Sequence, residues 1–266
     1  MIDENSARAS DLRAVAAITR RELESYFATA TGWLTLLGFL VITGFFFVLT
    51  MHDYSNYVLQ ASFSPYGGEQ ASVDEALIPG IFGNWSVVIL LVVPGISMRI
   101  FSEDLRQRTF ELLLSSPISS GAIVAGKFLG ALAFMAVLFL ATGYQAAVLF
   151  ALSEPDPGVL FGSYAAMFAL AASCLGVGML VSSYTSNQVV AFILSFSALL
   201  LLYLLGWVGE LAGGGPLEAL GEASMLSHLD QIGKGLLHTE DVVYFLGFVG
   251  FCLFATQQRV ESFRWR

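Results

Sequence analysis

Apolar runs long enough to cross a bilayer recur along this chain, separated by short polar segments. A spanning helix needs about 20 mostly apolar residues. The pattern predicts six spans, at about Trp33–Met51, Ile78–Ile100, Phe128–Leu152, Val159–Val181, Val189–Val208 and Val242–Thr256. Trp33 falls where an indole can bury its ring and keep its N–H wet. Pro94 removes a backbone hydrogen bond in the second span, a kink that a membrane helix tolerates. Before the first span, Leu12, Val15, Ala16, Leu23, Tyr26, Phe27 and Ala30 recur at helical spacing, with Arg13, Arg20, Arg21 and Glu24 on the other side. Residues 11–30 therefore form an amphipathic helix suited to the membrane surface, or a soluble helix packed on a partner. It has no short apolar core ahead of a small-residue cleavage site, unlike a signal peptide.

Between spans two and three lies a segment too charged to cross, 102–116. Ser102 is placed to cap a short helix there, and Glu103 and Asp104 suit its positive end. Pro117 ends it. The remaining connections are polar: 52–77, a short acidic loop with Glu154 and Asp156, the turn SSYTSNQ at 182–188, and 209–241 with its Gly213–Gly215 run. The expected fold is an all-α polytopic membrane protein forming one transmembrane domain, without internal repeat or separate soluble domain.

Composition agrees. Of 266 residues, 56% are hydrophobic and 12% charged, against roughly a quarter charged in soluble domains. The net charge of −9 acquires meaning only when divided between the two sides. With both ends inside, eleven basic residues fall on the cytoplasmic side: Arg8, Arg13, Arg20, Arg21, Arg99, Arg106, Arg108, Lys127, Arg259, Arg264 and Arg266. The other side keeps only Lys234, with acids such as Asp53, Asp74, Glu75, Glu210 and Asp241. Positive charge is retained inside.

Chemistry is sparse. Cys174 and Cys252 fall in apolar runs and have no metal or redox spacing; they read as packing residues. His52, His228 and His238 lie far apart in outer loops. Gly126-Lys127 is a fragment of a phosphate loop without the rest of its motif, so it does not make this chain an ATP binder. The predicted span interiors hold no Asp, Glu, Lys, Arg or His, whereas ion-coupled carriers usually place such a group at depth. Asn84, Thr142, Gln145, Ser173, Ser195 and Ser197 either line a weakly polar path or bond to neighbouring helices. Small residues at Gly126/Gly130, Gly158/Gly162 and Gly176/Gly178 permit close helix contact, within one chain or between two.

The run VPGISMRIFSEDLRQRTFELLLSSPISSGAIVAGKFLGAL, 93–132, resembles the centre of bacterial ABC transporter permeases of the second exporter class. The shared features are Met98-Arg99, the charged stretch Glu103 to Arg108, Thr109/Glu111/Leu113, Ser116-Pro117 and Gly126-Lys127. Many members carry glycine where this chain has Arg108. The turn at 182–188 fits as well. Residues 227–248 are similar to the region before the last span in permeases of gliding motility and nitrous oxide reductase maturation, through Ser227, His228, Lys234, Gly235, Asp241, Tyr244 and Phe245.

The resemblance implies a non-catalytic permease of the bacterial inner membrane, paired with a second copy, exporting a substrate when a separate cytoplasmic ATPase hydrolyses ATP. ATP and Mg would be bound by that ATPase; this chain would carry no cofactor, metal or nucleic acid. The segment 102–116 would be the coupling helix, with Leu105, Phe110, Leu113 and Leu114 as apolar anchor and Glu103, Arg106, Arg108, Thr109 and Glu111 around it. His228, Asp230, Lys234 and Asp241, in the outer loop, are candidates for contact with an extracytoplasmic or membrane accessory subunit. A membrane scaffold without transport and an intramembrane enzyme are the alternatives. The enzyme would need converging acids, histidines or a metal site.

Overall fold

The computed structural model describes residues 4–63, 72–107, 118–212, 224–225 and 239–263. Among these the secondary structure is helical, without strands. Six of its helical stretches are long and apolar enough to cross a membrane.

Helix α1, Glu4–Ala28, leads into α2, Ala30–Ser62, with Thr29 in an extended conformation between them. At about 1.5 Å per residue, α2 is about 50 Å long, well beyond a hydrocarbon core of about 30 Å. The polar stretch expected as loop from residue 52 therefore begins as helix: His52 and Asp53 lie in α2, and His52 meets Asn56 at 3.1 Å one turn on. A single π-helical turn, Val73–Leu77, opens on Ser72, whose hydroxyl accepts from the Glu75 amide. It continues into α3, Ile78–Ser97. The short α4, Ser102–Gln107, follows after one irregular turn.

The third span starts earlier than its hydropathy suggests and is interrupted. Helix α5, Ser120–Ala141, opens on Ser119, which caps the Ala122 amide. It stops at Thr142, whose φ and ψ of −81° and 0° lie in the bridge region. Helix α6, Gly143–Leu152, completes the crossing. The Thr142 carbonyl accepts from the Tyr164 hydroxyl at 3.3 Å, so a neighbouring helix satisfies one group at the break.

Asp156 caps α7, Pro157–Ser182, by accepting from the Gly158 amide at 2.7 Å, and its own amide donates to Asp74 at 2.9 Å. Two acidic connections are thereby joined at one end of the bundle. Helices α8, Gln188–Ala212, and α9, Thr239–Ser262, complete the order. Helix α9 is longer than its apolar run and takes Asp241 into its first turn and Arg259 into its last.

The centre is α7, in contact with α3, α5, α8 and α9. Of its most apolar stretch 67% is buried, against 17% in α2 and 22% in α8 and α9. The latter three turn apolar side chains outward, as lipid-facing helices do. An aromatic cluster fixes the middle: Trp85 of α3 stacks on Phe139 of α5 at 5.8 Å and meets Phe39 of α2 and Tyr164 of α7 edge-on at 6.0 and 5.5 Å.

Close approach relies on small residues, within the chain. A Cβ on Gly178 would lie 1.9 Å from the Ser97 hydroxyl, bringing α7 against α3. One on Gly176 would meet Cys252 Cβ at 3.0 Å, bringing α7 against α9. Gly126 and Gly130 lie against Ile18 and Glu22, at 2.7 and 2.6 Å from a built Cβ. Helix α1 is thus seated on the chain's own α5. Ile18, Thr19, Glu22, Tyr26 and Phe27 meet α5 between Gly126 and Phe134, and the two helices run in the same direction. Of the predicted apolar face, Leu23, Tyr26 and Phe27 pack inward, while Leu12 stays 71% exposed.

Candidate functional site: a charged junction at the basic end

Basic side chains gather where α1, α4 and the start of α5 meet. Lys127 is the eighth residue of α5 and is 3% exposed. Its ammonium lies 2.7 Å from Glu22 of α1, 2.8 Å from Asp104 of α4 and 2.8 Å from the Ile100 carbonyl. An ammonium has three protons to donate, and these three acceptors use them all. The Phe101 ring lies beneath it, 5.5 Å to the centroid. Removing one member of a buried pair costs about 3–5 kcal/mol. Glu22 and Asp104 retain 15% and 16% side-chain exposure, which places their share at the low end.

Arg99 forms a second layer. Its Nε donates to Glu103 at 3.1 Å, one turn on, and Nη1 donates to the Thr31 hydroxyl at the start of α2. Gln107 holds the other Glu103 oxygen at 3.2 Å. Tyr26 is buried beside these groups, its ring stacked 4.6 Å from Phe134 and its hydroxyl directed at the Ile96 carbonyl at 3.5 Å. Burial, reinforced by the Glu22 charge, pushes the Tyr26 phenol well above its ordinary value. A cavity of about 220 Å³ adjoins the junction, lined by Arg21, Glu22, Tyr26, Arg99, Asp104 and Lys127 among others.

The expected coupling residues are only partly within this picture. Glu103, Leu105 and Arg106 lie on α4; Arg108, Thr109, Phe110, Glu111, Leu113 and Leu114 lie outside the described residues. Glu103 is occupied by Arg99 and Gln107, Leu105 is half-buried against the chain's own core, and Arg106 is exposed. Ser102 does not cap α4. It is fully buried, its hydroxyl donates to the Met98 carbonyl, and the Phe101 carbonyl accepts the first helical bond from Leu105. His228, Asp230 and Lys234 lie outside the described residues, whereas Asp241 is 1% exposed in the first turn of α9.

Glu22 is the residue that sequence periodicity missed. A face drawn through Ile18 and Tyr26 also carries Thr19 and Glu22, and Lys127 sits inside the apolar run AIVAGKFLGAL. A lysine that must be buried needs an acid, and Glu22 is at the matching position of the amphipathic helix. Among the uncharged polar residues, Asn84 donates to Thr50 of α2 at 3.1 Å, while Thr142, Gln145, Ser173 and Ser195 are buried and Ser197 is exposed. Near the acidic end, a groove of about 400 Å³ lies between α2, the π turn and α6, lined by Met51, Tyr54, Val58, Leu59, Leu77 and Leu152. Among the described residues, no three His, Cys, Asp or Glu side chains converge to hold a metal ion.

No curated protein matches this chain. The family model described as ABC-2 family transporter protein matches residues 14–230, from α1 to beyond α8, and so spans the charged junction and five of the six membrane helices. This chain therefore belongs to the ABC-2 transporter family, as a multi-pass permease subunit.

Proposed function

We propose that this permease works as a pair of identical subunits in a bacterial inner membrane, with both termini cytoplasmic, and exports its substrate when a separate cytoplasmic ATPase bound beneath it hydrolyses ATP. The orientation is supported by the eleven basic residues on one side against Lys234 on the other. The ATPase would dock on α4 and the segment that follows it, 102–116, with Arg106 and Arg108 among the polar contacts and Phe110, Leu113 and Leu114 as the apolar anchor. The observation that carries this reading is the position of α4. It follows span two directly, exposes Arg106, and is tied through Asp104 to α5 and α1. A push on α4 therefore reaches three helices. ATP and Mg would be held by the ATPase. The acidic segment 209–241, with His228, Asp230 and Lys234, would contact an accessory subunit outside the membrane. Resemblance at 227–248 to permeases of gliding motility and nitrous oxide reductase maturation supports that assignment.

Co-expression with ATPase subunits encoded nearby, purification in detergent and native mass spectrometry test the proposal. Two permeases with two ATPases is the expected mass. A chain that purifies without ATPase at every salt concentration would favour a membrane scaffold. Alanine at Glu103, Arg106, Arg108 and Glu111 together should release the ATPase; retention after that change would remove the coupling assignment.

A further inference from the structure

Segments distant in sequence converge on Lys127. Helix α1 is seated on α5 through Gly126 and Gly130, independently of charge. Helix α4 follows α3 after one irregular turn, with Leu105 packed against the core and Glu103 paired with Arg99. The contacts of Lys127 with Asp104 and the Ile100 carbonyl, together with its contact with Glu22, join one group to the other. Every proton of the ammonium has an acceptor, so the junction has a defined geometry. The adjoining cavity gives water access to both carboxylates, whose side chains are 15% and 16% exposed. Replacing Lys127 by an apolar side chain then leaves both carboxylates in contact with water rather than dry and unpaired.

We propose that Lys127 is a positioning residue that ties the first turn of α4 to α1 and α5, so that the amphipathic helix, the α4 turn and the start of the third span move as one body. The part of this inference that concerns ATP-driven movement rests on the permease–ATPase reading above; the nucleotide-free part does not.

The experiment uses the full chain in liposomes, with Cys174 and Cys252 replaced by alanine. Spin labels are attached at two exposed positions, Ala16→Cys in α1 and Gln107→Cys in α4. Without nucleotide, the parent should give one narrow distance. Lys127→Met should lose it. Asp104→Ala should lose it too, because Lys127 then has no bond to α4 itself, while its bonds to Glu22 and to the Ile100 carbonyl and the α1 packing stay in place. Should the methionine variant fail to fold, the Asp104 variant decides alone. A narrow parental distance retained in the folded variants would overturn the tie.

With the ATPase bound, ATP plus vanadate should leave the parental α1–α4 distance unchanged and shift it in Asp104→Ala. A shift in the parent would overturn movement as one body. Failure to recover any ATPase would instead count against the permease–ATPase reading, and the nucleotide-free distances would still decide whether Lys127 makes the tie.

Discussion

Lys127 is a buried charge whose cost is met locally. Its three acceptors come from α1, α4 and the α3–α4 connection, and an aromatic face fills the remaining side. Tyr26, one turn beyond Glu22, makes a different contribution. It is held by stacking on Phe134 and by burial, and its hydroxyl makes only a long contact with Ile96. A phenol whose folded pKa lies above the unfolded one stabilises the fold fully below the ordinary value of about 10. That contribution falls away as pH rises toward the folded value, because ionising the buried ring is unfavourable. Tyr26→Phe should therefore melt within about 1 kcal/mol of the parent at pH 7. It should resist alkaline unfolding above about pH 10 better than the parent does. Thermal melting in detergent across pH 7 to pH 11 reads both effects; a large loss at neutral pH would show that the hydroxyl bond matters more than the ring.

Between elements, packing is governed by where Cβ atoms are missing. Lipid gives apolar side chains little reason to prefer one another, so association depends on close van der Waals fit and a few polar bonds. Gly178 shows the constraint most sharply, because the Ser97 side chain occupies the space its Cβ would take. Gly178→Ala should destabilise the bundle by about 2 kcal/mol, the scale of overpacking. Ser97→Gly in the same chain should recover most of that loss, and thermal melting of the single and double variants measures the coupling. Equal loss in both would mean that α7 and α3 do not meet through this pair. The break at Thr142 belongs to the same scale. The third crossing is two helices, with Tyr164 bonding the carbonyl at the join.

For the whole molecule, sidedness is the property that most constrains function. Native Cys174 and Cys252 are buried, so single cysteines introduced at exposed sites report on access. Gln60→Cys, near the end of α2, should react with a membrane-impermeant maleimide in intact cells. Arg13→Cys in α1 should react only after the membrane is opened. The opposite pattern would invert the orientation and place α4 away from any cytoplasmic ATPase. Lipid contact follows from the same architecture: α2, α8 and α9 lie at the periphery of the bundle and present most of their apolar surface outward.

The six membrane crossings and the all-helical character were legible in the residues themselves, because a bilayer demands about 20 apolar positions per span whatever the helix packs against. The division into a basic and an acidic end was legible for a related reason, since it is a count of residues rather than of contacts. Partner choice was not legible. Ile18, Tyr26 and the glycines of α5 would show the same periodicity against lipid, a second subunit or the chain itself, and only the fold brings Gly126 against Ile18. The extension of α2 to Ser62 and the early start of α5 were hidden because hydropathy marks the membrane's thickness, while a helix ends where its backbone bonds and caps end. Lys127 reads in sequence as a charge at the edge of a span. Glu22 and Asp104, separated from it along the chain, make it a buried junction, and that pairing is decided by tertiary structure, because an ion pair depends on distance in space rather than on spacing in sequence.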